Sequence, residues 1–230
     1  MQHMDEYIVS QLYGRRAAKQ SLDAAEPAGQ GLPVSSEKEA GMQSITTASA
    51  ADAELRINIK GRPTRFRAVQ LLSERLECLL PDHFGQMSIE KVRIKYPSEH
   101  RPQVIYAEPE GIVDFTWSPT DMEIQEEELG TTARQLGEMI RRIQPILSWQ
   151  GVEMIKTDHL TIAVIRFVVS IIDGEMYNEM LLVNDQGKLI IGTFHCEAAE
   201  IEHWKPVTEI LIRSLRFLTI EENTYEPGLS

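Results

Sequence analysis

Residues 152–197 read "VEMIKTDHLTIAVIRFVVSIIDGEMYNEMLLVNDQGKLIIGTFHCE", and the way this stretch folds decides the architecture. Four runs rich in Val, Ile, Leu, Met and aromatic residues occupy 152–158, 160–172, 175–184 and 188–197. Each has strand length, and β-branched and aromatic residues favour a pleated backbone. Asp173-Gly174 joins the second run to the third, and "NDQG" at 184–187 joins the third to the fourth. Both are hairpin connections, because Gly and Asn accept the positive φ of a tight turn between antiparallel strands. Sequential hairpins predict a four-stranded antiparallel meander.

After the meander, "EHWKPVTEILIRSLRFL" (202–218) places Trp204, Val207, Leu211, Leu215 and Leu218 along one helical stripe. Such a stripe predicts a helix that closes one face of the sheet, with Pro206 in its first turn. Before the meander, residues 118–145 read as a helical region bounded by Pro119 and Pro145. Its acidic residues crowd the start and Arg141 and Arg142 the end, as the helix dipole favours, and Gly130 divides an acidic turn from a longer helix beginning at Thr131. Further upstream lie strands at 54–60, 65–72, 75–81, 103–108 and 111–118. A short helix at 88–96 interrupts them, capped by Ser88 two residues before Glu90. The sum is an α+β fold, a mostly antiparallel sheet of about six or seven strands flanked by helices.

The chain divides by texture. Residues 1–20 carry Ile8, Val9, Leu12 and Tyr13 near helical spacing, which predicts an amphipathic helix. Residues 21–53 are rich in Ala, Ser, Gly and Pro, too poor in apolar area to offset chain entropy, and read as a flexible linker. As a random coil it has a typical span of roughly 30 Å. A single α+β domain is expected over 54–220 and a tail over 221–230.

The full sequence has 230 residues, 42% hydrophobic and 25% charged, with a formal charge of −12. That charge argues against nucleic-acid binding, which draws its affinity from clustered Lys and Arg. No basic flank followed by an apolar core opens the sequence. The run 160–172 is interrupted by Arg166 and too short to cross a bilayer, so no membrane segment is expected. Only Cys78 and Cys196 are present, without metal-ligand spacing, which fits a reducing, cytoplasmic setting.

The order of elements and several local stretches carry a resemblance over residues 55–218. A strand pair leading to "LPDHF" (80–84), then "KYPSEHRPQVIY" (95–106), "VDFTWS" (113–118), "GTFHC" (192–196), "EHWKP" (202–206) and "SLRF" (214–217) resembles the PsbP/Mog-type α/β/α sandwich. In particular it is similar to a group of uncharacterised bacterial proteins of that fold. The resemblance implies the sandwich but no activity. The plant members are extrinsic photosystem subunits, the fungal Mog proteins bind a small GTPase, and no shared catalytic residues exist to carry over.

Two stretches hold chemistry worth weighing. Ser98, Glu99 and His100 are adjacent, so their side chains diverge, and no GxSxG elbow is present. The plain reading is a turn between two prolines, and the functional one a recognition loop exposing Tyr96, His100 and Arg101. In "FHCEAAEIEHW" (194–204), His195, Cys196, Glu200 and His203 are metal-ligand types. Neighbours on a strand point to opposite faces, so at most one of His195 and Cys196 can join Glu200 or His203, and they cannot form a thiolate–imidazole pair. The acidic run 121–129 reads as a solvated helix start. Met154, Met176 and Met180 read either as gap-filling core or as an adaptable binding face. The expectation is a non-enzymatic protein-binding or assembly module, engaging a partner through the N-terminal helix or a sheet face, with no cofactor. The alternatives are a small-ligand module using the sheet face opposite the helices, or a hydrolase with its site near His100 or His195/His203.

Overall fold

The computed structural model describes residues 55–218. The helix expected over 1–20 and the linker over 21–53 lie outside the described residues, as does the tail over 221–230. The described strands are β1 (Arg56–Ile59), β2 (Arg62–Leu71), β3 (Leu76–Pro81), β4 (Gly85–Gln86), β5 (Val104–Ala107), β6 (Asp114–Glu123), β7 (Ile146–Lys156), β8 (Thr161–Ile171), β9 (Gly174–Asp185), β10 (Lys188–Glu197) and β11 (Arg216–Phe217). The helices are α1 (Ile89–Lys95), α2 (Leu129–Ile143) and α3 (Ile201–Ser214).

The meander forms as expected, with β7, β8, β9 and β10 antiparallel in sequence order. Gln186 and Gly187 turn β9 into β10 at φ 51° and 86°. The large sheet then continues through β6, β5 and β4 to seven strands. The early strands do not join it: β1, β2 and β3 form a second, four-stranded sheet closed by β11. The fold class is α+β, with every strand pairing antiparallel.

Strand alternation gives the large sheet two buried faces. On the inner face Phe115, Trp117, Ile162, Val164, Tyr177, Leu181 and Phe194 pack with the small sheet and with Trp204, Val207 and Leu211 of α3. On the outer face Ala163, Ile165, Phe167, Met180, Leu182 and Ile191 pack under Leu129, Ala133, Leu136 and Ile140 of α2. Near the opposite edge of that face, Tyr96 at the end of α1 packs with Met87, Ile105 and Ala107. Gly192 sits directly across from Trp117 in the β6–β10 register, and a Cβ there would lie 2.5 Å from the indole Cζ3. Only glycine lets this ring lie flat on β10.

Several boundaries differ from expectation for physical reasons. Residues 118–123 extend β6 rather than starting a helix, and Pro119 lies in the strand, opposite Ile190 beside an irregularity in the register. The acidic run contributes a 3-10 turn, Glu126–Glu128, and α2 begins at Leu129, so Gly130 lies inside it. Pro206 falls within α3 rather than in its first turn. Leu215 and Leu218 leave the helix, because β11 pairs with β3 there. Helices cover both faces of the large sheet, so the ligand surface expected on a helix-free sheet face is absent among the described residues.

Candidate functional site

The most concentrated polar chemistry is a buried cluster on the outer face, around Asp114. Asp114 opens β6, and the register sets it directly opposite His195 on β10. Its Oδ1 accepts from His195 Nδ1–H at 2.8 Å. Its Oδ2 accepts from the Tyr96 hydroxyl at 2.9 Å and from Lys95 Nζ at 2.7 Å. Lys95 also donates to the Gly111 carbonyl at 2.6 Å, and Lys91 to the Pro109 carbonyl at 2.6 Å. Ser88 caps α1 as expected, its hydroxyl accepting from Lys91 N–H. The cluster therefore clasps the end of α1 to the sheet. Burial alone would raise the Asp114 pKa, but the hydrogen bond and charge of His195, followed by the charge and hydrogen bond of Lys95, outweigh it and hold the carboxyl at about 2. The strip continues inward through Thr116, Ser118 and Thr193 on the same face. The Ser118 and Thr193 hydroxyls are buried without a partner.

This placement corrects the recognition loop. Tyr96 is fully buried on Asp114, so it is no part of an exposed surface. His100 and Arg101 are exposed, and the His100 N–H donates to Ser98 Oγ at 3.0 Å in the turn expected there. The metal-ligand residues do not converge either. His195 faces the outer strip, while Cys196 lies in the inner core, its thiol pushed up to about 12 by burial and then by Glu200 and Glu179. Glu200 is ion-paired with Lys60, and His203 is exposed on α3. Among the described residues no three His, Cys, Asp or Glu side chains gather as a ligand set. The acidic run serves the entry to α2: Glu128 accepts from Gln125 N–H at 2.8 Å and Glu126 from the Thr161 hydroxyl at 2.6 Å.

A second buried charge lies on the inner face. Glu179 on β9, directly opposite Arg166 on β8, accepts from Arg166 Nε at 2.9 Å. Arg166 Nη1 also donates to Glu153 at 2.5 Å, and the Tyr177 hydroxyl donates to Glu179 at 3.3 Å. Tyr177 is pushed well above the ordinary phenol range, first by burial and then by Glu179. Sequence reasoning did not single out Asp114, Lys95 or Glu179. The available signal was a lone charge inside an apolar strand, "VDFTW" and "NEMLL", where burial demands a partner.

Exposed large apolar side chains lie on α1 and the loop before β6 (Ile89, Ile94, Ile112), at the β8–β9 turn (Ile172), and along α2 and β7. β7 is the outermost strand of the large sheet, and Leu147 and Met154 on it are 54% and 45% exposed. Register irregularities at Ile146/Ser148 and Trp149/Gly151 break the first half of β7, leaving Val152–Lys156 regular. Of the other two methionines, Met180 is buried in the outer core and Met176 half-buried against it. Along the exposed side of α2, Thr131, Arg134, Gln135, Glu138, Met139, Arg142 and Ile143 line a groove of about 460 Å³.

No family model matches the chain, and no curated protein matches it. Among solved structures it is similar to cyanobacterial PsbP (CyanoP) from Synechocystis sp. PCC 6803, at 11% identity and TM-score 0.45 over 74% of this chain and 98% of that one. It is also similar to LpqN, involved in cell envelope biogenesis of Mycobacterium tuberculosis, at 9% identity and TM-score 0.42 over 72% of this chain and 91% of that one. A protein of Bacteroides thetaiotaomicron VPI-5482 is similar at 10% identity and TM-score 0.45, over 67% of this chain and 49% of that one. At such identities no residue role passes from these proteins to this one. Among the described residues no helix is long and apolar enough to cross a membrane.

Proposed function

We propose that the chain is a non-enzymatic protein-binding or assembly module whose partner adds an extended, apolar segment to β7, the end strand of the large sheet among the described residues. The observation that supports it most directly is the regular half of β7, Val152–Lys156, at the end of the sheet, with Met154 exposed along it. An edge strand offers unpaired backbone donors and acceptors, and apolar side chains beside them give a partner strand affinity and register. The bulged first half resists such pairing, which limits the docking site to Val152–Lys156. The Asp114 cluster supports the same reading, because the carboxylate has its oxygens engaged by three donors, of which Lys95 and Tyr96 tie α1 to the sheet and His195 lies across on β10. Two free, buried cysteines accord with a reducing compartment.

The test compares proteins co-purifying with the full chain and with a Met154→Glu variant, quantified side by side. A partner retained by the parent and lost from a variant of unchanged Tm supports the proposal. An identical set of retained proteins refutes the β7 site. A second reading, a hydrolase centred on His195, is favoured by the Asp114–His195 hydrogen bond, an arrangement that orients an imidazole for proton transfer. Ester hydrolysis lost in a folded His195→Gln variant would establish that reading in place of the first.

A further inference from the structure

We infer, resting on the strand addition proposed above, that the segment docking on β7 is acidic on one face, its carboxylates seated by Arg134 and Lys156. α2 runs along β7 with Gly130 and Gly137 toward it. An ideal Cβ on Gly130 would lie 3.3 Å from Met154 Sδ, and one on Gly137 2.9 Å from the Trp149 ring. Residues 130, 134, 137 and 141 recur at helical spacing, so Arg134 and Arg141 stand on the same side of α2 as the two glycines. The missing side chains let the helix press close to the edge strand and hold both guanidinium groups over it. Arg134 Nη1 would lie 3.5 Å from the same Gly130 Cβ, so the guanidinium and the Met154 thioether flank one spot. Arg141 is committed, donating to Glu138 and lying 5.6 Å over the Trp149 ring. Arg134 donates to the Thr131 hydroxyl at 3.1 Å and is exposed.

On the strand itself, Val152, Met154 and Lys156 share the face under α2, and Glu153 and Ile155 the other. Glu153 is ion-paired with Arg166 and Ile155 is half-buried, so the second face offers a docking strand apolar contact beside a neutralised charge. Under α2 the available charges are cationic: Lys156 and Arg134 are exposed, and among the described residues neither is ion-paired. Glu126, behind them, accepts from Thr161 on β8, one strand in from the edge. A residue added opposite Met154 lies within reach of Arg134, and one opposite Lys156 has its Cβ about 5 Å away. Asp or Glu at these alternate positions pairs with both cations, while the residue between them, Val, Ile or Leu, packs on Ile155. A basic strand would meet like charge at both positions. Charges beyond the Debye length, about 8 Å at physiological salt, are largely screened, so these two cations outweigh the overall −12 at this edge.

The test screens the immobilised full chain against a random-peptide library displayed on phage. Enriched peptides should carry Asp or Glu at alternate positions between apolar residues. When such a peptide is added as a free synthetic chain, backbone amides within 152–156 should gain protection from hydrogen exchange, marking strand addition. Arg134→Glu and Lys156→Glu, both at exposed positions and checked for unchanged Tm, should each weaken binding by about tenfold. Lys in place of the peptide's acidic residues should restore binding to the Arg134→Glu, Lys156→Glu double variant. Peptides that protect 152–156 yet bind the parent and both variants alike overturn the acidic partner and leave β7 as the docking strand. Enriched peptides that leave those amides unprotected, or no enrichment at all, sink the strand addition and the acidic partner together.

Discussion

Replacing Asp114 by Asn tests the clasp, because it removes the charge while keeping the size and the fully buried position. The carboxyl is held at about 2 against an ordinary aspartate value of 3.8. That gap corresponds to roughly 2 kcal/mol of stability supplied by the ionised form. Since the folded value is the lower one, this stability is present above pH 4 and lost as the pH falls from about 4 toward about 2. The substitution itself should be worse than this linkage, because Lys95 and His195 lose their common counter-charge, and breaking a buried charged cluster costs about 3–5 kcal/mol. At about 2–4 °C per kcal/mol for a domain of this size, the Tm at pH 7 should fall by about 6 °C or more. Urea unfolding of parent and Asp114→Asn, followed by tryptophan fluorescence from pH 2.5 to 7, measures both effects. The difference between the two stability curves should shrink as the pH approaches 2. A variant within about 0.5 kcal/mol of the parent at pH 7, with a parallel pH profile, would refute the reasoning.

Three further outcomes follow from the packing. Gly192→Ala should destabilise by about 1–3 kcal/mol, since its Cβ meets the buried Trp117 ring at 2.5 Å; a thermal melt unchanged from the parent would show that the ring moves freely. Glu179→Leu should lose about 3 kcal/mol by leaving Arg166 short of its buried partner, and adding Arg166→Met should recover most of it, as a double-mutant cycle of these two substitutions in urea would show. Cys196, held at about 12, and the still more strongly raised Cys78 should not react with a thiol reagent in the native protein at pH 8, and both should react on unfolding.

Local chemistry determined much of this molecule in advance. The hairpin residues at 173–174 and 184–187, the alternation of the flanking runs, the Ser88 cap and the stripe of the last helix act within a few residues, so they are legible without tertiary structure. The opposition of His195 and Cys196 followed from strand geometry for the same reason. The break of β1–β3 into a separate sheet was not legible, because it depends on β11 returning 139 residues later to pair Arg216 with Glu77. Nor was the strand character of Pro119, which is tolerated only because of its place beside a register irregularity. The Asp114 clasp joins α1, β6 and β10 across 18 and 81 residues of chain, and only the β6–β10 register sets the carboxylate opposite the imidazole. Sequence marks Asp114 and Glu179 as charges that must find partners in an apolar strand; tertiary structure alone selects which partners arrive, because that choice is made between segments distant in the chain.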